Sequence, residues 1–111
     1  MKIVAVAACT IGIAHTYMAQ EAIEQECKKR GYECKVETQG GMGIENELDE
    51  DEIAAADAVI LAIAIGIEGE ERFEEKEEEG KIIKIDPSVV IRDPAEIIDQ
   101  AERSEEHTSE L

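Results

Sequence analysis

Aromatic residues, basic residues and cysteine are scarce in this chain, and each shortage excludes a class of protein. There is no tryptophan, one phenylalanine and two tyrosines, so a core must be built almost entirely from aliphatic side chains. The 11 basic residues stand against 28 acidic ones, and the net charge of −17 disfavours binding to nucleic acid or to an anionic membrane surface. Three cysteines without a framework spacing argue against a disulfide scaffold and favour a reducing compartment.

Long apolar runs are also missing. No stretch reaches the ~18 residues of a membrane-spanning helix, and no secretory signal is recognisable, so we expect a cytoplasmic protein that does not insert into the membrane. Apolar residues nevertheless make up 43% of the chain and lie in short blocks, which favours a packed core over disorder. With 111 residues, the chain has the length of a single small domain.

Continuous apolar blocks alternate with amphipathic segments in the first half of the chain. Residues 3–8 and 58–65 are almost entirely apolar, which is typical of strands buried on both faces in a parallel sheet. Residues 16–30 have helical spacing and end in three basic residues that suit a helix C-terminus. Residues 32–39 alternate, which predicts an edge strand with one solvated face, and Glu37 is expected on that face.

The second half of the chain continues the alternation. We predict a short helix with an acidic first turn over 49–56, a solvated loop or helix surface over 68–79, and a fourth strand over 81–85. Asp93 begins a last helix as its N-cap, with a proline at the first helical position. This order of strands and helices predicts an α/β domain with a parallel sheet, whose ligands bind at the carboxyl ends of the strands.

The residues from 103 to 111 differ in character from the rest of the chain. They are polar, they lack apolar periodicity, and they are similar to the in-frame translation of a common sequencing-library adapter. We therefore expect the domain to cover residues 1–102 and the tail over 103–111 to carry no function. His107 is excluded from the candidate site for this reason.

The segment from Cys9 to Thr16 joins the first predicted strand to the first predicted helix, and it carries the clearest chemistry. Amide groups in such a turn, together with the positive end of the helix dipole, form a cradle for an anion. A thiol at the start of this segment is expected to titrate below its free value and, as a thiolate, to attack phosphorus. Gly12 allows a tight turn, and the hydroxyl of Thr16 can cap the helix or donate to a phosphate oxygen.

The residues alone leave simpler interpretations open. Cys9 can be a small buried residue at a strand end, and His15 a surface or capping residue rather than a group that balances phosphate charge. Cys27 and Cys34 are predicted to lie in the core, one on the helix and the other on the strand that follows. Because no cysteine has a partner at a spacing typical of a tetrahedral metal site, no metal is expected.

Three longer motifs resemble one known family. They are ACxxGIAHTYMAxEA over residues 8–22, VETQGxxGIENEL over 36–48 and IAAADAVILA over 53–62. In this order they closely resemble the fructose-type enzyme IIB domain of the bacterial phosphoenolpyruvate-dependent sugar phosphotransferase system. The resemblance extends over roughly residues 1–100, so it covers the whole predicted domain.

The resemblance implies a single three-layer α/β domain with a four-stranded, mainly parallel sheet and helices on both faces. In this family the IIB domain accepts a phosphoryl group from a phosphohistidine of enzyme IIA and passes it to a sugar bound by the membrane enzyme IIC. No metal or organic cofactor is needed. Carried over by motif, Cys9 is the phosphorylated nucleophile. The phosphate-binding loop then consists of Thr10, Ile11, Gly12, Ile13, Ala14, His15 and Thr16.

Besides an expanded glutamate-rich stretch after Phe73, the chain departs from the family pattern in two places. Thr10 and Ile11 stand where many members have proline and threonine, so Ile11 lacks a hydroxyl that could help to bind phosphate. Family members often have an acidic residue after the third predicted strand, near the position that Ala64 occupies here. Neither change removes the cysteine on which the reaction depends.

Two other functions stay open. A low-molecular-weight phosphatase or arsenate reductase also begins its loop with a cysteine, but its loop cation is an arginine that clamps phosphate with two hydrogen bonds, which His15 cannot do. Such an enzyme also needs a carboxylic acid to protonate the leaving group, and the candidate is Asp86, which precedes a proline and is predicted to lie in a turn. The other alternative is a regulatory IIB-like module without catalytic activity.

Overall fold

A computed structural model of the chain describes residues 1–8, 13–40, 43–63, 66–67 and 69–109, with the side chains of Ile13 and of 104–109 excepted. Strands and helices alternate along most of this length. The elements are β1 (Lys2–Ala8), α1 (Ile13–Arg30), β2 (Glu33–Gly40), β3 (Gly43–Glu45), α2 (Glu50–Ala55), β4 (Ala58–Ile63), a 3₁₀ turn (Glu70–Phe73), α3 (Glu74–Glu78), β5 (Ile82–Ile85), α4 (Pro87–Arg92) and α5 (Pro94–Ser109).

The strands form one sheet in the order β3-β2-β1-β4-β5. Strand β1 pairs in parallel with β2 on one side and with β4 on the other, and β4 pairs in parallel with β5. Six consecutive residues of β1, from Ile3 to Ala8, are fully buried, as the continuous apolar run predicts. The predicted α/β class and the mainly parallel sheet are therefore confirmed.

The sheet of the described residues has five strands, so the predicted number of four was wrong. The additional strand, β3, is three residues long and pairs antiparallel with the end of β2, through Thr38 with Glu45 and Gly40 with Gly43. A segment this short has no alternation to detect, and the neighbouring glycines are more typical of a loop. Because β3 pairs with the last three residues of β2, only the earlier part of β2 forms an edge of the sheet.

Helices cover both faces of the sheet, as predicted. On one face, residues Ile3, Ala5 and Ala7 of β1 pack with buried residues of α1, α4 and α5. On the other face, Val4 and Val6 pack with residues of α2 and with Phe73, the single phenylalanine. The alternation of β1 side chains between two cores explains why the strand sequence is apolar at every position.

Two helix starts show how capping residues act in this fold. Asp49 caps α2 by accepting from the Glu52 backbone N–H at 2.7 Å, and the Glu52 side chain accepts from the Asp49 N–H in return. The predicted acidic helix is therefore confirmed. Asp86 caps α4 by accepting from the Ser88 backbone N–H, with Pro87 at the first helical position. The sequence prediction of a turn at Asp86 was incomplete, because the turn opens a helix of six residues.

The carboxyl end of α1 is tied to α5 by a group of charged side chains. The guanidinium of Arg30 lies 2.8 Å from carboxylate oxygens of Glu26, Asp99 and Glu102. The hydroxyl of Tyr32 also donates to Glu102, at 2.6 Å. These contacts lie within residues 1–102. Helix α5 itself continues to Ser109, past the predicted domain boundary, and that boundary remains a prediction.

None of the helices in the described part of the chain is long and apolar enough to cross a membrane.

Removal of residues 103–111 is expected to change the free energy of unfolding by less than about 0.5 kcal/mol, the range of surface changes. The reason is that the ion pair of Arg103 with Glu96 is exposed, with 60% and 48% of the two side chains accessible. Urea unfolding of the full and shortened chains measures this. Glu102→Ala serves as the contrasting variant, because it removes a carboxylate that binds both Arg30 and Tyr32, and it should lower stability. A tail deletion as costly as Glu102→Ala would place the tail inside the domain.

Candidate functional site

The carboxyl end of β1 is the point at which the chain connections leave the sheet in opposite directions. From β1 the chain crosses through α1 to β2 on one side, and from the β2–β3 region it returns through α2 to β4 on the other side. Helices α1 and α2 also lie on opposite faces of the sheet. Such a switch point leaves a crevice at the carboxyl ends of the strands, where α/β proteins bind ligands.

The predicted phosphate loop occupies this position, although its first part lies outside the described residues. Cys9, Thr10, Ile11 and Gly12 fall between the end of β1 and the start of α1, and their geometry is not described. Ile13 is the first residue of α1, and its backbone is helical. Helix α1 is 18 residues long, so its N-terminus presents a full macrodipole to the segment that contains Cys9.

The structure places the remaining predicted loop residues in the first turn of α1. Ala14 is exposed, His15 is partly buried, and Thr16 is 2% exposed. The Oγ1 atom of Thr16 is buried and has no hydrogen-bond partner among the residues that the structure describes. An unsatisfied buried hydroxyl costs about 1–3 kcal/mol of stability, so its presence at a helix N-terminus points to a ligand that accepts the hydrogen bond.

His15 lies within electrostatic reach of Asp86, across from α1 at the end of β5. The Asp86 carboxylate accepts hydrogen bonds from the Ser88 hydroxyl at 2.6 Å and from the Ser88 backbone N–H at 2.9 Å. These bonds, and to a lesser extent the charge of His15, lower the pKa of Asp86. Asp86 is therefore an ionised helix cap, which is a poor source of a proton for a leaving group.

The phenol of Tyr17 links α1 to the β2–β3 hairpin by donating to the carboxylate of Glu45. This hydrogen bond to Glu45 raises the pKa of Tyr17, because the ionised phenol would lose the bond and face a negative charge. Tyr17 and Met18 are the large apolar side chains of the described chain that remain exposed, at 37% and 48%. The start of α1 thus carries an apolar patch beside the predicted phosphate loop.

A buried ion pair near the site was missed by the sequence analysis. Glu37 was predicted on a solvated face of β2, but it is 0% exposed, so that prediction was wrong. Its Oε1 lies 2.8 Å from Nη1 of Arg72 and its Oε2 lies 3.0 Å from Nη2, so the arginine binds both oxygens. The backbone N–H of Leu48 and the amide of Gln39 donate to the same carboxylate, at 2.8 and 2.7 Å.

Burial and hydrogen bonding act in opposite directions on Glu37. Desolvation raises its pKa, but the hydrogen bonds from Arg72, Leu48 and Gln39 together outweigh it, and the pKa of Glu37 lies below its usual value. The only sequence signal for this pair was a glutamate inside the VETQG motif, because its partner lies 35 residues away. Alternation alone assigns such a residue to solvent.

The two cysteines outside the loop lie together in the core, as predicted. Cys27 is fully buried in α1, and Cys34 in β2 is partly buried and packs against the same cluster. Their thiols share a hydrogen bond, which lowers the pKa of Cys27 and raises the pKa of Cys34. Among the described residues, no group of three or more histidine, cysteine, aspartate or glutamate side chains could hold a metal ion.

Comparison with known proteins gives one consistent family. Residues 4–100 match the family model described as "PTS system, Lactose/Cellobiose specific IIB subunit". The chain is 60% identical over 72 residues to the PTS system fructose-like EIIB component 2 of Escherichia coli K12, which covers 65% of this chain and 68% of that protein. It is 54% identical over 72 residues to the fructose-like PTS system EIIBC component of the same strain, 65% of this chain but only 15% of that longer protein.

A solved structure also matches the fold over nearly its whole length. It is a domain of the fructose-specific IIABC component of the PTS system from Borrelia burgdorferi, with a TM-score of 0.80. The two are 48% identical, and the match covers 90% of this chain and 91% of that domain.

Replacement of the Thr16 hydroxyl tests whether this buried group is retained to bind a ligand. Thr16→Val is expected to raise the free energy of unfolding by about 1 kcal/mol, because it removes an unsatisfied buried group while keeping the shape of the side chain. Urea unfolding measures the change. Thr38→Val makes the same exchange at a second buried threonine and is the control for the effect of the exchange itself. A loss of stability in Thr16→Val would show that the hydroxyl is already satisfied.

The ion pair of Glu37 predicts a pH dependence of stability. Because the pKa of Glu37 is lower in the folded chain, its contribution is full above the unfolded value of about 4.3 and is lost as the pH falls through the folded pKa. Glu37→Gln should cost about 3 kcal/mol at pH ~7, because it leaves the Arg72 charge without its partner. Urea titrations from about pH 7 to 3 should show this difference shrinking below about pH 4.3. A constant difference would contradict the assignment.

Proposed function

The chain belongs to the IIB family of the sugar phosphotransferase system, and we propose that it relays a phosphoryl group from enzyme IIA to a fructose-class sugar through Cys9. The observation that carries this proposal is the position of Cys9. It directly follows the central strand in the sequence and precedes helix α1, whose first turn holds a buried hydroxyl, on Thr16, that lacks a partner among the described residues. This position combines a nucleophile with donors for the oxygens of a phosphoryl group.

The proposed relay consists of two in-line transfers. In the first, the Cys9 thiolate attacks the phosphorus of the IIA phosphohistidine, so an S–P bond forms, the P–N bond breaks and the electron pair returns to the imidazole. In the second, a sugar hydroxyl attacks the phosphocysteine, so an O–P bond forms and the S–P bond breaks. Its electron pair returns to the Cys9 sulfur as a thiolate, and the hydroxyl proton passes to water. The dipole of α1 and the hydroxyl of Thr16 stabilise the charge on the phosphoryl oxygens in both steps.

The other loop residues have proposed roles that follow from their positions. The backbone N–H groups over residues 10–14 would surround the phosphoryl group as the start of a helix surrounds an anion. His15 would donate a hydrogen bond to the phosphoryl group or balance its charge. No metal or organic cofactor is needed, because the loop and the helix supply the donors.

The proposed partners are two other components of the same system. Enzyme IIA would donate the phosphoryl group, and the membrane enzyme IIC would present the sugar. The similarity to a longer EIIBC component supports a contact with IIC, since the name of that protein indicates that B and C components are joined in one chain. We place this chain in the cytoplasm, at the membrane surface through IIC, and we assign the choice of sugar to IIC.

Transfer from a phosphorylated donor is the direct test. The chain is mixed with a fructose-type IIA that is kept phosphorylated by its upstream enzymes, and intact mass is recorded. We expect one phosphoryl group on the wild-type chain, none on Cys9→Ser, and one on Cys34→Ser. The last variant is the matched control, because it removes a thiol from the core rather than from the loop.

Other outcomes assign the chain elsewhere. A wild-type chain that stays unmodified while the donor is intact would overturn the relay. Hydrolysis of phenyl phosphate would then favour the phosphatase, which the capped state of Asp86 argues against. Inactivity in both assays would favour a regulatory IIB-like module.

A similar experiment separates the role of Thr16 from its effect on stability. Thr16→Val should reduce the rate of phosphoryl acceptance by about tenfold or more, because one donor to the transferred group is lost. The rate is followed by quenched-flow mass spectrometry under single-turnover conditions. Together with unchanged or higher stability, a lower rate identifies a functional hydroxyl. An unchanged rate would remove Thr16 from the site.

A further inference from the structure

The outer side of α1 changes character along the helix. In the first two turns it consists of Ala14, Tyr17 and Met18, which are all exposed and lie three and four residues apart, on one side of the helix. These three residues are called here the α1 patch. From residue 21 onward the exposed positions of α1 are polar or charged, namely Glu21, Glu24, Gln25, Lys28 and Lys29. An exposed helix face is normally polar along its whole length, so the α1 patch needs a separate explanation.

The two large side chains of the α1 patch are well exposed to solvent. Tyr17 is 37% exposed and Met18 is 48% exposed, and they are the exposed large apolar residues in the part of the chain that the structure describes. Because they are neighbours, they form a continuous patch rather than scattered single residues. Tyrosine and methionine are both enriched at protein–protein interfaces, whose centres are depleted of charged residues. The composition of the α1 patch is therefore typical of a contact with another protein.

A hydrogen bond to the neighbouring hairpin fixes the α1 patch. The phenol of Tyr17 donates to the carboxylate of Glu45, the last residue of β3, which lies 28 residues further along the chain. This bond restricts rotation of the tyrosine ring before any partner arrives. A side chain that is already ordered loses less entropy on binding, so the bond prepares the α1 patch for contact.

The same hairpin places the α1 patch close to the end of β1. Gln39 is in register with Ala8 on one side and with Ile44 on the other, so Ile44 lies two strand spacings, about 10 Å, from Ala8. Cys9 is bonded to Ala8, and the residue after Ile44 is the partner of Tyr17. A protein interface of ordinary size covers about 800 Å² on each partner, a disc of about 16 Å radius. A protein that brings a phosphohistidine to Cys9 therefore covers the α1 patch as well.

Charge and shape define the partner that fits the α1 patch. Glu21 follows the patch on the same helix and Glu45 binds Tyr17 from the hairpin, and both glutamates are exposed, so the rim of the patch is acidic. The patch also lies on the outside of a helix, a convex shape that is complementary to a groove. The matching surface is an apolar groove bordered by basic side chains. An anionic lipid surface would be repelled by the same rim.

We propose that the α1 patch, with Tyr17 held by Glu45, is the docking site for the phosphohistidine-bearing donor protein, which covers it with an apolar groove bordered by basic side chains. The inference rests on the proposed relay and adds to it the surface that recognises the donor. A centre of two large side chains is small, as in contacts that form and separate rapidly. The donor must leave after every transfer, whereas IIC, as proposed above, keeps the chain at the membrane.

The first test changes the polarity of the α1 patch at constant size. Met18→Gln replaces the thioether by an amide of similar length, and Met18→Leu is the matched control that keeps the side chain apolar. The rate of phosphoryl acceptance is followed by quenched-flow mass spectrometry while the concentration of phosphorylated IIA is varied. This gives a half-saturating concentration and a maximal rate. Urea unfolding and the rate of Cys9 alkylation by iodoacetamide are measured separately.

We expect Met18→Gln to raise the half-saturating concentration of phosphorylated IIA by about tenfold, because a polar group then enters the apolar centre of the contact. The maximal rate and the alkylation rate should stay within about twofold of wild type, since contacts made equally before and during transfer affect binding alone. Stability should be unchanged, because Met18 is exposed. Met18→Leu should behave as wild type in every measurement.

The second test uses the two tyrosines of the chain, each of which donates to a carboxylate beside one end of α1. Tyr17→Phe removes the bond to Glu45, and Tyr32→Phe removes the bond to Glu102 near the other end. Tyr17→Phe should raise the half-saturating concentration of phosphorylated IIA by about threefold, because the ring must then be ordered on binding. Tyr32→Phe should leave it unchanged.

The failure of this inference differs from the failure of the relay. An unchanged half-saturating concentration in Met18→Gln, with an active wild-type chain, would overturn the docking site alone. If that variant accepts normally but passes its phosphoryl group more slowly to sugar in vesicles that contain IIC, the patch binds IIC instead. If it accepts normally but abolishes a dimer seen by sedimentation, the patch binds a second copy. A wild-type chain that accepts no phosphoryl group would overturn the relay and, with it, this inference.

Discussion

The parallel pairing of β1 with both β2 and β4 is the constraint on which the rest of the structure depends. A strand with two parallel neighbours has both backbone edges satisfied and both faces covered, and six of its seven residues are fully buried. Parallel neighbours can be joined to it only by crossovers, so α1 and α2 must lie on opposite faces. The direction of the α1 dipole and the switch point at the carboxyl end of β1, where such sheets bind ligands, follow from this arrangement.

Local sequence patterns were sufficient for the elements whose burial is uniform or strictly periodic. The apolar runs predicted β1 and β4, and the capping residue Asp93 predicted the start of α5, where its carboxylate accepts from the Glu96 N–H at 3.3 Å. Two short elements, β3 with three residues and α4 with six, escaped prediction. The family was predicted from three motifs, and a match over residues 4–100 confirms it.

Glu37 and Thr16 show why a site cannot be completed from the sequence. Whether a glutamate in an alternating strand faces solvent depends on whether a partner exists, and here the partner lies 35 residues further along the chain. Thr16 was selected as a capping or phosphate-binding residue, but its unsatisfied hydroxyl is a property of the surroundings in three dimensions. Polar groups that cost stability and remain buried are found where function requires them, and only packing reveals which groups they are.

The strand order also has a consequence for synthesis on the ribosome. Strand β1 emerges first, but the partner on one of its edges begins at Glu33 and the partner on the other edge begins at Ala58. This apolar strand is therefore translated before both of its partners and remains without its full set of hydrogen bonds until β4 has been made. Its folding is governed by contacts between distant residues, and such contacts form slowly. During that interval β1 is the segment most exposed to aggregation, and the acidic residues that dominate the later half of the chain are not yet present to oppose it.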